Sequence, residues 1–468
     1  MKENKFTTLC LWMIILLLSE ILGACNKYLD KKQNSALNIP ASLADMQAIL
    51  DDNSTMNKSR TPALGETSCD EYFLTDDEYD ESESIQVGSQ KLYTWQYYPL
   101  VGGGNDWSAC YLAVYNANLV LDQLKNIKRS SSNAEEWGNV KGSALFYRSY
   151  YFLCLLWNYA KAYDSVSASK DWGIALRLTS DFNVPSARAT NQQSYEQVII
   201  DTKASLSLLP VNAQNAMRPS KAAAYGLLAR CYLSMRDYKD ALLYSDSTLQ
   251  ISNQLMNFNT ETEFNGGIAA NVPFKQFNKE TIFYSEINTY QFMFFTSLIG
   301  NIDSTLYSSY SSNDLRKKAY FYENGNGYQS FKGTYTANIN SLFSGMATDE
   351  MYLIRGEAFV RLGEIQKGLD DLNALLANRY DQSTFVPVSG LSQSEALELI
   401  LKEREKELLM RGLRWMDLKR LNREGENIVL RRVEDNQAFT LEPDAGYYAL
   451  PLPEDIIQMT GMPQNTDN

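Results

Sequence analysis

The sequence predicts a mainly α-helical fold built from stacked antiparallel hairpins, with long irregular loops and minor β structure. Three observations lead there. From Trp107 onward, apolar residues recur at three- and four-residue spacing over long stretches. A hairpin spacing of small and aromatic residues occurs twice, at Ala229–Leu249 and at Gly356–Leu375. Between these repeats, roughly residues 251–345 show no sustained period and are crowded with Asn, Ser, Gly and Tyr.

The chain opens with Lys2 and Lys5, an apolar run Leu9–Leu18, and then Leu22-Gly23-Ala24-Cys25. The run is too short to span a bilayer, which takes roughly 20 apolar residues. A basic start, a short apolar core and small residues before a cysteine resemble a bacterial lipoprotein signal over 1–24. That resemblance implies cleavage before Cys25 and diacylglycerol on its sulfur. Several acyl chains, at about 0.8 kcal/mol per buried CH₂, anchor a protein stably. Residues 25–41 read as a tether and 42–468 as the folded domain.

Ser42 caps a short amphipathic piece ending at Leu50, and residues 53–104 read as irregular, ending in Gly102-Gly103-Gly104. Helices then follow. Tyr111, Val114, Tyr115, Asn118, Leu121 and Leu124 share a stripe. Asn133 with Glu136 has the form of a capping box opening an aromatic-rich helix through Tyr159. Ser194 with Gln197 opens another, which stops at Pro210. Ser220 to Ser234 and Tyr238 to Leu249 form a hairpin whose Ala229, Tyr232, Tyr238 and Ala241 fall at tetratricopeptide-repeat spacing. The spacing returns at Gly356, Phe359, Gly363 and Gly368. Single hairpins of this kind cannot bury their apolar face, so they stack. Hairpins are expected near 107–160, 195–250 and 349–420, with a loop-rich ligand region near 251–345. A Ser392-x-x-Glu395 capping box opens the last long helix, to about Arg411, and Tyr447–Leu450 looks strand-like.

Composition narrows function. The chain carries 43 Lys+Arg against 56 Asp+Glu, a net charge of −13, which disfavours nucleic acid. It contains no histidine. Ser-His-Asp and Cys-His nucleophiles, His general bases and nearly all catalytic zinc sites are thereby removed, while paired-carboxylate glycosidases are not. Cys154 and Cys231 sit in helical apolar stretches and read as buried thiols. Cys69 and Cys110 lie in less regular segments, where a disulfide is an open alternative outside the cytoplasm. No Cys pair has CxxC spacing and no D-x-D-x-D-G loop is present, so no metal or cofactor is indicated.

Glu403-Arg404-Glu405-Lys406-Glu407-Leu408 followed by Arg411-Gly412-Leu413-Arg414-Trp415-Met416-Asp417-Leu418-Lys419-Arg420 resembles the C-terminal signature of the SusD/RagB family, with Leu413 where a histidine is common. Tyr111-x-x-Val114-x-Asn116-x-Asn118, Gly142-x-Ala144-x-x-x-Arg148-x-Tyr150-Tyr151, Leu450-Pro451-x-Pro453-x-Asp455 and Gln464-Asn465 resemble further family segments in the same order. The resemblance implies a SusD-like scaffold and a non-enzymatic role. That role is nutrient capture at the outer membrane, lipid-anchored through Cys25, over a SusC-like TonB-dependent barrel.

The charged run reads as a scaffold ion network. A Glu403–Glu407 like-charge pair needs basic partners, which Arg404, Arg414 and Lys419 or Arg420 could supply by folding back. The expected ligand is an oligosaccharide, because pyranose C–H groups pack on aromatic faces while rim amides and carboxylates bond the hydroxyls. Candidate contacts are Asp70, Tyr72, Trp95, Tyr97, Asn105 and Trp107 from the first irregular region, and Tyr290, Tyr307, Tyr320 and Tyr322 from the second. Oligopeptide capture, as in RagB-like proteins, keeps the fold and changes the ligand. A tetratricopeptide adaptor that binds only protein and a carboxylate-pair glycosidase are the readings from other classes.

Overall fold

The structure, a computed structural model, describes residues 40–100, 102, 104–289 and 300–465. Cys25, Tyr290 and nearly all of the expected tether lie outside the described residues. Residues 42–468 make one unit. No described helix is long and apolar enough to cross a membrane.

Short helices come first. They are α1 (Leu43–Leu50), α2 (Asn53–Met56), α3 (Leu64–Ser68), α4 (Asp76–Ile85) and α5 (Ser89–Tyr93). Ser42 caps α1 through a reciprocal box with Asp45. The stretch 53–104 is thus more ordered than its composition implies. The acidic segment of α4 has no apolar stripe, but Thr75 and Glu78 form a capping box and Asp76, Asp77 and Glu78 sit at the positive end of the helix dipole.

The scaffold is a continuous ladder in which each helix packs on the next. It runs α6 (Asp106–Leu124), α7 (Ala134–Tyr159), α8 (Asn191–Leu206), α9 (Lys221–Met235) and α10 (Tyr238–Leu249). Two short helices of the loop-rich stretch 251–345, α11 (Ser304–Ser309) and α12 (Arg316–Tyr320), intervene in sequence. The ladder resumes from α10 onto α13 (Thr348–Arg361), which packs on both α14 (Ile365–Leu376) and α15 (Gln393–Glu407). Helix α16 (Arg414–Asn422) packs against α3, α7 and α9, and α17 (Glu454–Thr460) closes the chain. Two caps differ from expectation. Asn133 makes no cap bond and instead accepts from Ser130 N. Helix α8 starts at Asn191 because Thr190 and Gln193 form the box, ahead of Ser194 and Gln197.

Five two-stranded antiparallel sheets decorate the ladder among the described residues. Those near the loops are β1 (Tyr72–Phe73) with β5 (Asn301–Ile302), and β6 (Phe321–Glu323) with β7 (Gln329–Phe331). The others are β2 (Trp172–Ala175) with β3 (Arg188–Thr190), β4 (Thr281–Phe283) with β8 (Met346–Ala347), and β9 (Leu430–Glu434) with β10 (Gln437–Leu441). Asp435 and Asn436 both take positive φ, 49° and 64°, which suits the two-residue turn of the last hairpin. Tyr447–Leu450 is not a strand, since Gly446–Tyr448 form a 3₁₀ turn. All four described cysteines, Cys69 and Cys110 included, are buried free thiols.

Candidate functional site

The C-terminal signature forms a buried ion network that joins its own residues to partners far off in sequence. Glu403 pairs with Arg316 at 2.5 Å and Lys406 at 2.7 Å, while Glu407 pairs with Arg316 at 3.1 Å and Arg379 at 2.8 Å. Arg379 also holds Glu280 at 2.8 Å. Arg404 and Arg420 pair instead with Asp417, and Lys419 donates to the Trp157 and Ala160 carbonyls at the end of α7. The like-charge pair of α15 is thus neutralised by Arg316 of α12, by Arg379 just beyond α14, and by Lys406 one turn away on α15 itself.

The same signature anchors the first irregular region. Arg414 grips Asp70 at 2.7 Å. Glu66 accepts the Gly412 N–H at 2.7 Å and Glu71 accepts that of Met410 at 2.8 Å. Met410 and Gly412 are left-handed, with φ of 58° and 73°, so the turn aims its N–H groups at these carboxyls. Glu66, Cys69 and Glu71 bring three potential ligand atoms within 4.8 Å of one another. Those groups are spent on backbone: besides the two carboxyls, the Cys69 thiol points at the Glu66 carbonyl. Burial raises the pKa values of Glu66 and Glu71, and repulsion by Glu66 raises that of Glu71 further.

The two irregular regions meet in space. Asn288 N donates to the Thr61 carbonyl at 2.7 Å, and its side chain reaches the Gly104 carbonyl at 3.1 Å and Asp106 at 2.9 Å. Asp106 also accepts the Ala63 and Leu64 N–H groups. Burial lifts its pKa to about 6 against those bonds. Pairing of β1 with β5 makes the second junction, extended by Asp303 N to the Glu71 carbonyl at 3.0 Å.

Most predicted contacts turn inward at this junction. Tyr72 is buried with its hydroxyl on the Thr67 carbonyl, and Trp95 is buried with its indole N–H on Ser68 O. The Arg432 guanidinium lies 3.6 Å from the Tyr93 ring centre, 4.8 Å from Trp95 and 5.1 Å from Tyr72, and donates to Cys69 O at 2.7 Å. Asn105 caps α6, while Trp107 packs on Tyr111 and Tyr159. Tyr320 is buried, with its hydroxyl directed at Glu407 O. Tyr307 is half-buried against Phe321 beneath Lys317. Tyr97 and Tyr322 stay exposed, at 43% and 38%.

Asp70, Tyr72 and Trp95 do share a cavity of about 250 Å³ with Phe73, Asp303 and Glu434. Glu434 is 3% exposed and its Oε2 has no hydrogen-bond partner. Burial pushes its pKa up to about 7. Phe73 also belongs to an adjoining outer face that sequence reasoning missed. There Phe73 meets Tyr328 edge-on at 5.0 Å. Asn301 donates to Glu78 at 2.6 Å, Asn324 donates to Asn301 at 2.6 Å, and Asn326 donates to Glu78 at 3.4 Å. The available signal was Asn324-Gly325-Asn326-Gly327-Tyr328, whose two left-handed glycines turn β6 into β7 and present Tyr328 at 38% exposure.

Stacked helical hairpins with aromatic and amide side chains carried on the intervening loops define the class of fold. The chain belongs to the SusD/RagB family. Residues 27–233 match a family model described as "starch-binding associating with outer membrane", and residues 346–451 match that of the SusD family. Solved structures share the fold. A SusD superfamily protein from Bacteroides thetaiotaomicron has TM-score 0.71 at 20% identity, covering 91% of this chain and 99% of its own. A SusD-like carbohydrate binding protein from Bacteroides vulgatus has TM-score 0.67 at 20% identity, covering 90% and 97%. A SusD superfamily protein from Bacteroides fragilis has TM-score 0.71 at 18% identity, covering 91% and 99%. Comparison with curated proteins found no match.

Proposed function

We propose that this protein captures oligosaccharide at the outer membrane, held by lipid on Cys25, and passes it to a SusC-like TonB-dependent barrel. It does so by binding, with no chemical step. The observation that carries the reading is the loop-borne face in which Phe73 and Tyr328 stand beside Glu78, Asn324 and Asn326. Aromatic rings take the C–H face of a sugar, and amide and carboxylate groups take its hydroxyls. Tyr97 and Tyr322, both exposed, and the half-buried Tyr307 extend this face in our reading. The buried Tyr72, Trp95, Asn105, Trp107 and Tyr320 set its shape, and Asp70 is fixed by Arg414. The structural relative from B. vulgatus described as carbohydrate binding supports the ligand class.

Calorimetric titration of residues 26–468 against a glycan panel and a peptide mixture tests this. At least one glycan is expected to bind, and Tyr328→Ala should weaken it about tenfold, in keeping with the roughly 0.5–1.5 kcal/mol of an aromatic contact. Binding of peptides alone, or turnover of a bound glycan, would overturn the reading.

A further inference from the structure

A second concavity lies on the flank of α6, separate from the loop face. Its volume of about 700 Å³ is that of a small-molecule site. One wall is the α6 face carrying Tyr111 and Tyr115, and the opposite wall is the segment 177–186. That segment is bolted in place. Arg177 bonds the Asp181 carbonyl at 2.6 Å and also that of Val184, and Asp122 accepts from Ser180 N at 2.8 Å and Thr179 Oγ1 at 3.0 Å. The result is an aromatic pair standing in water: Phe182 stacks on Tyr115 at 4.9 Å and 24° yet remains 79% exposed. Leu112, Val184 and Met459 around it are 40%, 45% and 72% exposed.

Most polar side chains of this groove are already spent. Tyr111 donates to Ala175 O at 2.7 Å, Asn118 donates to Arg177 O at 2.7 Å and accepts from Arg148 at 2.9 Å, and Thr460 donates to Ile456 O at 2.6 Å. A bare sugar ring would find surface to stack on but few groups to replace its water, at a cost for each unmatched hydroxyl. A charged group would find no free counter-charge, since the guanidinium of Arg177 is turned onto carbonyls. The groove suits an uncharged flat apolar group. It also ends at Trp107 and Ser108, on the segment that continues from Asn105 and Asp106 at the loop junction.

We propose that this groove is a second binding site, for an uncharged aryl group such as the aromatic ester or ether substituent of a glycan. The aryl ring stacks on the outer face of Phe182 while the attached saccharide extends toward the loops. The inference rests on the proposed function for the glycan and on the groove alone for the aryl group.

The test uses residues 26–468, with Phe182→Ala and Met459→Gln as surface variants and circular dichroism to confirm folding. Methyl ferulate is the free aryl probe. Methyl and 4-nitrophenyl glycosides of each panel sugar form the matched pairs. Saturable methyl ferulate binding, weakened at least tenfold by Phe182→Ala, is expected. So is a 4-nitrophenyl preference of about tenfold over the methyl glycoside that vanishes in the same variant. Methyl ferulate binding with no glycoside bound would uphold the aryl site and sink the carbohydrate reading. Aryl binding indifferent to Phe182→Ala overturns the inference. So does equal loss of methyl and 4-nitrophenyl glycosides, which would make the groove a sugar platform. Loss of a co-purifying barrel in Phe182→Ala, with no aryl binding in the parent, would assign the groove to a protein partner.

Discussion

Single side chains here are judged by what they are already bonded to. Glu407, fully buried, neutralises both Arg316 and Arg379. Glu407→Gln leaves two buried guanidinium groups short of charge and should lower stability by about 3 kcal/mol. Chemical denaturation would show the loss, while calorimetric affinity per folded molecule should be unchanged. A selective loss of affinity would instead place Glu407 in the binding machinery. Two buried groups give opposite pH signatures. Burial raises the Glu434 pKa from 4.5 to about 7, so the folded state keeps a proton that the unfolded chain has released. Its contribution to stability falls as pH climbs from 4.5 to 7. Burial lowers Lys419 from 10.5 to about 7, so the unfolded chain holds the extra proton and stability rises from pH 7 toward 10. Denaturation midpoints against pH should show the first slope removed by Glu434→Gln and the second by Lys419→Met.

At the scale of elements, the legible features were those written in local chemistry. The helix Tyr238–Leu249 and the Ser42, Ser220 and Ser392 caps follow from neighbours three or four residues away, and the structure has them there. Helix α4 and the β9–β10 hairpin were not read, because one has only Tyr79 and Ile85 among polar residues and the other depends on Asp435-Asn436 rather than on a long alternating run. The small residues of the repeat have a measurable role. A Cβ on Gly368 would come within 2.5 Å of Val360 Cγ2 and 2.6 Å of the Gly356 carbonyl. Gly368→Ala should therefore push α14 off α13 and cost about 1–3 kcal/mol, as overpacking does. A melting temperature equal to the parent's would refute that closeness.

For the whole molecule, the proposed anchor makes a cellular prediction. Cys25→Ser should shift the protein from the membrane pellet to the soluble fraction and end incorporation of a lipid precursor, since in the proposed reading the acyl chains on Cys25 are the anchor. Unchanged labelling would reject Cys25 as the lipid site. The candidate site shows the reverse dependence on scale. Aromatic richness marked candidate stretches but could not say which rings face water. Tyr72, Trp95 and Tyr320 are buried while Tyr328 is exposed, though all sit in irregular sequence. Burial of Tyr72 and Trp95 depends on a partner hundreds of residues away, Arg432, and that of Tyr320 on the carbonyl of Glu407, 87 residues on.

The sequence by itself determined the helical periods, most of the caps, the hairpin repeats, the acidic balance, the absence of histidine and the family signature. All of these are local or additive properties. Only the tertiary structure decided that Asn288 draws two distant loops together and that the signature arginine Arg414 holds Asp70. It alone decided that Phe182 is left standing in water. Such pairings join residues with no shared period or spacing, so nothing short of the folded chain can encode which ones meet.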